Sequence, residues 1–126
     1  MRDRLALILV VVGLHGVVGC TTLALIQPAE AGCAMARNGA IRCGAGDCAV
    51  NQYGGVECAS TVGGGAAVNK YGGVECGPGA CTVNPTYGGV ECSSVASGGA
   101  VPNQYGGVTC QGGCVSGSNS LCRNGQ

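Results

Sequence analysis

The sequence predicts a small all-β, disulfide-rich fold, a tandem array of short β-hairpins preceded by an N-terminal apolar export helix. Three observations predict it. One motif is written four times, NQYGGVEC (51–58), NKYGGVEC (69–76), NPTYGGVEC (84–92) and NQYGGVTC (103–110), with a worn fifth copy, RNGAIRC (37–43). The chain carries eleven Cys and 26 Gly in 126 residues. Its large apolar side chains are scarce, with no Phe or Trp anywhere and a single Ile, a single Leu and eleven Val from Gly32 onward. Burial of so little apolar surface, at about 25 cal/mol per Å², does not offset the ordering of so many glycines, so cross-links are required.

The first thirty-one residues differ in kind from the rest. LALILVVVGLHGVV (5–18) is an apolar run behind Arg2 and Arg4, the layout of an export signal. Two exits follow it. Val17-Val18-Gly19-Cys20 resembles a bacterial lipobox, in which Cys20 would be acylated and tether the protein to a membrane, although the stretch after it, TTLALI, is more apolar than such tethers are. Ala29-Glu30-Ala31, after Pro28, is a cleavage site for ordinary secretion. A retained anchor is the third reading, because residues 5–26 are long enough to cross a bilayer. The expected domains are therefore residues 1–31 as signal peptide or anchor segment and 32–126 as the repeat domain. The expected location is secreted or periplasmic, with lipid anchoring in the cell envelope as the alternative.

Cysteine parity agrees with export. Loss or acylation of Cys20 leaves ten, Cys33, Cys43, Cys48, Cys58, Cys76, Cys81, Cys92, Cys110, Cys114 and Cys122, an even set in a short exported chain.

Each repeat reads as a hairpin. Folding residues 48–58 about Tyr53 sets Cys48 opposite Cys58 and Val50 opposite Val56, with Gln52-Tyr53-Gly54 as the loop and Gly54 in its left-handed position. The worn copy pairs Cys33 with Cys43 and Met35 with Ile41 around Arg37-Asn38-Gly39. The third copy pairs Val68 with Val74, and the fourth has a longer loop containing Pro85. Alternation along the strands places Cys and Val on one face, expected to be buried, and Ala49, Glu57, Glu75 and Glu91 on the other, expected to be solvated. A longer period overlies the short one, since Cys43 and Cys76 lie 33 residues apart, as do Cys48 and Cys81. Two hairpins then make one unit, with units at about 33–65, 66–99 and 100–126. A short β-solenoid, with each repeat as one coil, is the alternative architecture.

Two disulfide schemes fit these spacings. One bridges each hairpin, 33–43, 48–58, 81–92 and 114–122, and leaves Cys76 and Cys110 to join neighbouring units. The other bridges the short linkers, 43–48, 76–81 and 110–114.

The chemistry of the chain is restricted. The only His is His15, inside the export segment, so the repeat domain lacks the commonest general base. Its Cys spacings are not the C-x2-C of zinc modules, and no redox C-x-x-C occurs. Six basic residues balance six acidic ones, which leaves no basic face for nucleic acid. No cofactor is expected and no catalytic or metal-ligating residue stands out, so the protein is expected not to be an enzyme. The remaining candidates are the tip tyrosines Tyr53, Tyr71, Tyr87 and Tyr105, which either fold back over Gly or present rings to a glycan or protein. The expected function is that of an exported structural or adhesive envelope protein. A secreted binding module or effector that uses the tips is the alternative, and a thiolate metal binder the least favoured.

Overall fold

The computed structural model describes residues 32–126. The export helix, Cys20 and both cleavage points lie outside the described residues. The described chain is all-β, with twelve short strands: β1 (Gly32–Met35), β2 (Ile41–Gly44), β3 (Cys48–Val50), β4 (Val56–Ala59), β5 (Gly65–Val68), β6 (Val74–Gly77), β7 (Cys81–Val83), β8 (Val90–Ser93), β9 (Ala100–Pro102), β10 (Val108–Cys110), β11 (Cys114–Ser116) and β12 (Cys122–Asn124). Five antiparallel hairpins, β1–β2, β3–β4, β5–β6, β7–β8 and β9–β10, carry the five repeats. Their registers are those that folding each copy about its loop requires: Cys33 faces Cys43, Val50 faces Val56, Val68 faces Val74 and Cys81 faces Cys92. Gly39, Gly54, Gly72 and Gly88 all close their loops at positive φ, the region only glycine enters without penalty.

The hairpins stack one upon the next. Odd-numbered strands β1, β3, β5, β7 and β9 follow one another along one side of the stack, and β2, β4, β6, β8 and β10 along the other. Backbone bonds join the linkers, from the Asp47 N–H to Gly64 O at 2.9 Å and from the Ala80 N–H to Gly98 O at 2.8 Å. Each hairpin lies in its own antiparallel sheet, two of which gain a third strand from the C-terminal segment, and the sheets are stacked in chain order.

Stacking corrects the assignment of faces. On β4, β6 and β8 the Cys–Val face is buried, at Val56, Cys58, Val74, Cys76, Val90 and Cys92, and on β10 Val108 and Cys110 are half-buried. The opposite face is not solvated, because the next hairpin lies on it and Glu57, Glu75 and Glu91 are only partly exposed. Alternation implies a one-sided sheet, whereas Gly and Ala let backbones approach closely enough for both sides to be covered. A Cβ added at Gly77 would stand 2.5 Å from Cys92 Cβ, and one at Gly44 would collide with Cys58 Cβ. The central core, Ala59, Val74 and Cys76 with Ala49, Ala66, Val68 and Cys122 against it, is correspondingly small.

No sixth hairpin forms. The position held by Gly44 and Gly77 in the first and third hairpins is Gln111 in the fifth, whose Oε1 accepts the Gly99 N–H at 3.2 Å. The chain instead turns back and runs along the outer edge of the even-numbered strands. β11 pairs with β8, Cys76 bridges to Ser118, β12 pairs with β4, and Gln126 exchanges two 2.9 Å bonds with Cys43. Asn119–Leu121 forms a 3-10 turn, and β11 and β12 pair with β8 and β4 instead of with each other as the expected 114–122 bridge requires. This strap covers edges that would otherwise be open to pairing with other chains.

The disulfides follow from the strap. Bridges 33–43, 48–58 and 81–92 close their own hairpins. In the third and fifth hairpins the opposing residue is Ala66 or Ala100, so Cys76 and Cys110 have no partner of their own. The two strap cysteines take them, as 76–122 and 110–114. Neither expected scheme contains this combination. The 114–122 bridge of the first fails because the strap is pulled out flat along the stack, and of the second only 110–114 forms.

Candidate functional site

The tips are built around one asparagine in each YGG repeat. Asn51 Oδ1 accepts the Tyr53 N–H at 2.9 Å and the Gly55 N–H at 3.1 Å, while its Nδ2 donates to Glu57 Oε2 at 2.8 Å. Asn69 does the same with Tyr71, Gly73 and Glu75, at 2.8, 3.1 and 2.5 Å. Asn84, buried, holds the Thr86 and Tyr87 amides and donates to Glu91 at 2.6 Å. Asn103 holds Tyr105 and Gly107 and meets the neutral Thr109 hydroxyl at 3.2 Å. The short amide side chain offers an acceptor to the turn and a donor across the strand, a combination a carboxylate lacks. The glutamates thus lock the tips. This role was legible in the six-residue Asn-to-Glu spacing of the second and third copies, which lapses in the first, where Ala36 and Arg42 stand at the two positions.

Each tip is also bonded to the next. The Arg37 N–H donates to Gly54 O at 2.9 Å, the Gln52 N–H to Gly72 O at 2.8 Å and the Lys70 N–H to Gly88 O at 2.9 Å. At the fourth step Thr86 Oγ1 takes over, donating to Gly106 O at 2.7 Å. The result is a ladder of tips from which the tyrosines point outward: Tyr53, Tyr71, Tyr87 and Tyr105 are 79%, 75%, 74% and 85% exposed. Lys70 Nζ lies 5.2 Å from the centroid of the Tyr71 ring, a cation–π contact.

Beside the ladder, where the first hairpin meets the second, is an open cleft of about 630 Å³. Arg37, Arg42, Tyr53 and Asn124 are among the residues that line it. Ala36 has too short a side chain to lock this tip, and Asn38 closes it instead by accepting the Ala40 N–H at 2.9 Å.

All ten cysteines of the described region are in disulfides, so no thiolate remains among them for a metal or a redox step. Among the described residues no group of three or more His, Cys, Asp or Glu side chains is placed to hold a metal ion, and no helix is long and apolar enough to cross a membrane. Cys20, the residue for lipidation, lies outside the described residues. Comparison with protein-family models, with curated proteins and with solved structures finds no match to this chain.

Proposed function

We propose that this chain is an exported, non-enzymatic adhesive protein, a disulfide-stapled stack whose tyrosine ladder lies against an extended glycan. The observation that carries the reading is the outward projection of all four tip rings from tips bonded in series. Five disulfides suit an oxidising compartment outside the cytosol. A row of amphipathic rings on tips bonded one to the next is suited to a polymer of repeated units. Tyr offers each sugar an apolar face to stack on and a hydroxyl for hydrogen bonding, with little side-chain entropy to lose. The tips are held by side-chain and backbone bonds before any ligand arrives, so little further ordering opposes binding.

The test is retention of the exported protein on a panel of insoluble polysaccharides, wild type against the double variant Tyr71→Ala/Tyr87→Ala. Removal of two stacking rings is expected to weaken retention about tenfold. Circular dichroism of the variant should match the wild type, because the rings touch little of the stack. Unchanged retention on every polysaccharide that binds the wild type would remove the ladder from the adhesive reading.

A further inference from the structure

We propose that the cleft between the first two hairpins is a binding site for a carboxylate-bearing sugar unit. This deepens the adhesive reading and rests on it. In the second, third and fourth hairpins the Asn–Glu pair fills the space beneath the tip and spends the glutamate charge internally. In the first hairpin both members are replaced together, by Ala36 and Arg42. Loss of the amide opens the space, and exchange of Glu for Arg turns the local charge positive. The change is confined to the hairpin where a cleft of about 630 Å³ is found, a volume within the range of small-ligand sites.

The walls suit an acidic sugar. The second guanidinium comes from Arg37, whose Nη2 donates to Gln52 O at 2.9 Å and is thereby held at the rim. No Asp or Glu lines the cleft. The Arg42 guanidinium and the remaining N–H groups of Arg37 are the donors at this cleft, and a guanidinium fork matches a carboxylate bidentately. Tyr53, the first ring of the ladder, forms one wall, so a sugar bound here continues into the row of tips. Asn38 and Asn124 add amides suited to hydroxyls. The strap keeps the floor open, since Gly125 passes where a Cβ would stand 2.7 Å from Arg42 Cβ and 2.9 Å from Val56 Cγ1.

The bland alternative is that Arg42 is a solvated charge guarding an edge strand. That edge is already covered, because Gln126 pairs with Cys43 beside it.

The experiment is calorimetric titration of the exported protein with tetragalacturonate, with its methyl ester and with a heparin tetrasaccharide, using wild type, Arg42→Gln, Arg42→Lys and Arg123→Gln. Tetragalacturonate is expected to bind. The ester and Arg42→Gln should each weaken that binding about tenfold, Arg42→Lys by less, and Arg123→Gln, which removes the same charge outside the cleft, by no more than about twofold. Equal losses in Arg42→Gln and Arg123→Gln would reduce the effect to net charge and overturn the site. Equal binding of acid and ester, or absence of acid binding, would also overturn it. Tighter heparin binding with the same dependence on Arg42 would overturn the carboxylate in favour of sulfate. The two readings fail separately, because Tyr71 and Tyr87 do not line the cleft. Loss of ladder binding with the cleft intact sinks only the ladder, and the converse sinks only the cleft.

Discussion

Cys76 faces Ala66 across its own hairpin and is bonded to Cys122, 46 residues further along. That bond ties the returning strap to the middle of the stack, where Val74 and Ala59 are also buried. It exists because Ala66 offers no thiol. In Ala66→Cys the nearer partner should win, since a loop of about ten residues closes at lower entropic cost than one of forty-six. Non-reducing peptide mapping of the wild type should give the five pairs 33–43, 48–58, 76–122, 81–92 and 110–114 with no free thiol. In the variant a 66–76 bridge and an alkylatable Cys122 are expected. An unchanged map would mean that strap docking precedes hairpin closure.

The asparagine locks make a graded prediction. Asn84→Ala removes a buried amide with three partners, one of them a carboxylate, and should cost about 2–3 kcal/mol. Asn103→Ala, whose cross-strand partner is only a hydroxyl, should cost about 1 kcal/mol. Midpoints of denaturant unfolding with the disulfides intact measure the difference, and equal losses would assign the whole effect to the turn and none to the carboxylate.

Tip glycines are constrained twice, by conformation and by the neighbouring tip. Gly72 has φ of 90°, and a Cβ there would stand 2.7 Å from Gln52 Cβ. Gly39 has φ of 92° with nothing within 4 Å, as its hairpin is the first among the described residues. Gly39→Asn should therefore shift the unfolding midpoint little, Asn entering the left-handed region readily. Gly72→Asn should destabilise by about 1 kcal/mol or more, and Gly72→Val further, as overpacking adds to backbone strain. Identical behaviour of Asn at the two sites would show that the tips are not in contact.

Reduction should unfold the domain and metal chelation should not. Each bridge is worth about 2–4 kcal/mol, whereas the fully buried apolar side chains are mostly Val and Cys. Circular dichroism after each treatment checks this. Retention of the β signal after full reduction would mean that the backbone bonds between hairpins suffice alone.

The hairpins themselves were legible in the sequence. Register, the left-handed glycines and the Cys33–Cys43, Cys48–Cys58 and Cys81–Cys92 bridges all lie within a dozen residues of chain. Over so short a span, turn chemistry and side-chain alternation leave one antiparallel register that sets Cys opposite Cys and Val opposite Val. What lies between hairpins was decided only by the tertiary structure. Whether Glu57 meets solvent or a lock, whether Cys122 turns back on Cys114 or reaches Cys76, and whether Arg42 borders a cleft all depend on which element lies against each hairpin. Local pattern carries no record of that neighbour. The exception is size: Gly44 and Gly77 leave room for Cys58 and Cys92 of the hairpins that follow them, and that requirement is written at the glycine itself.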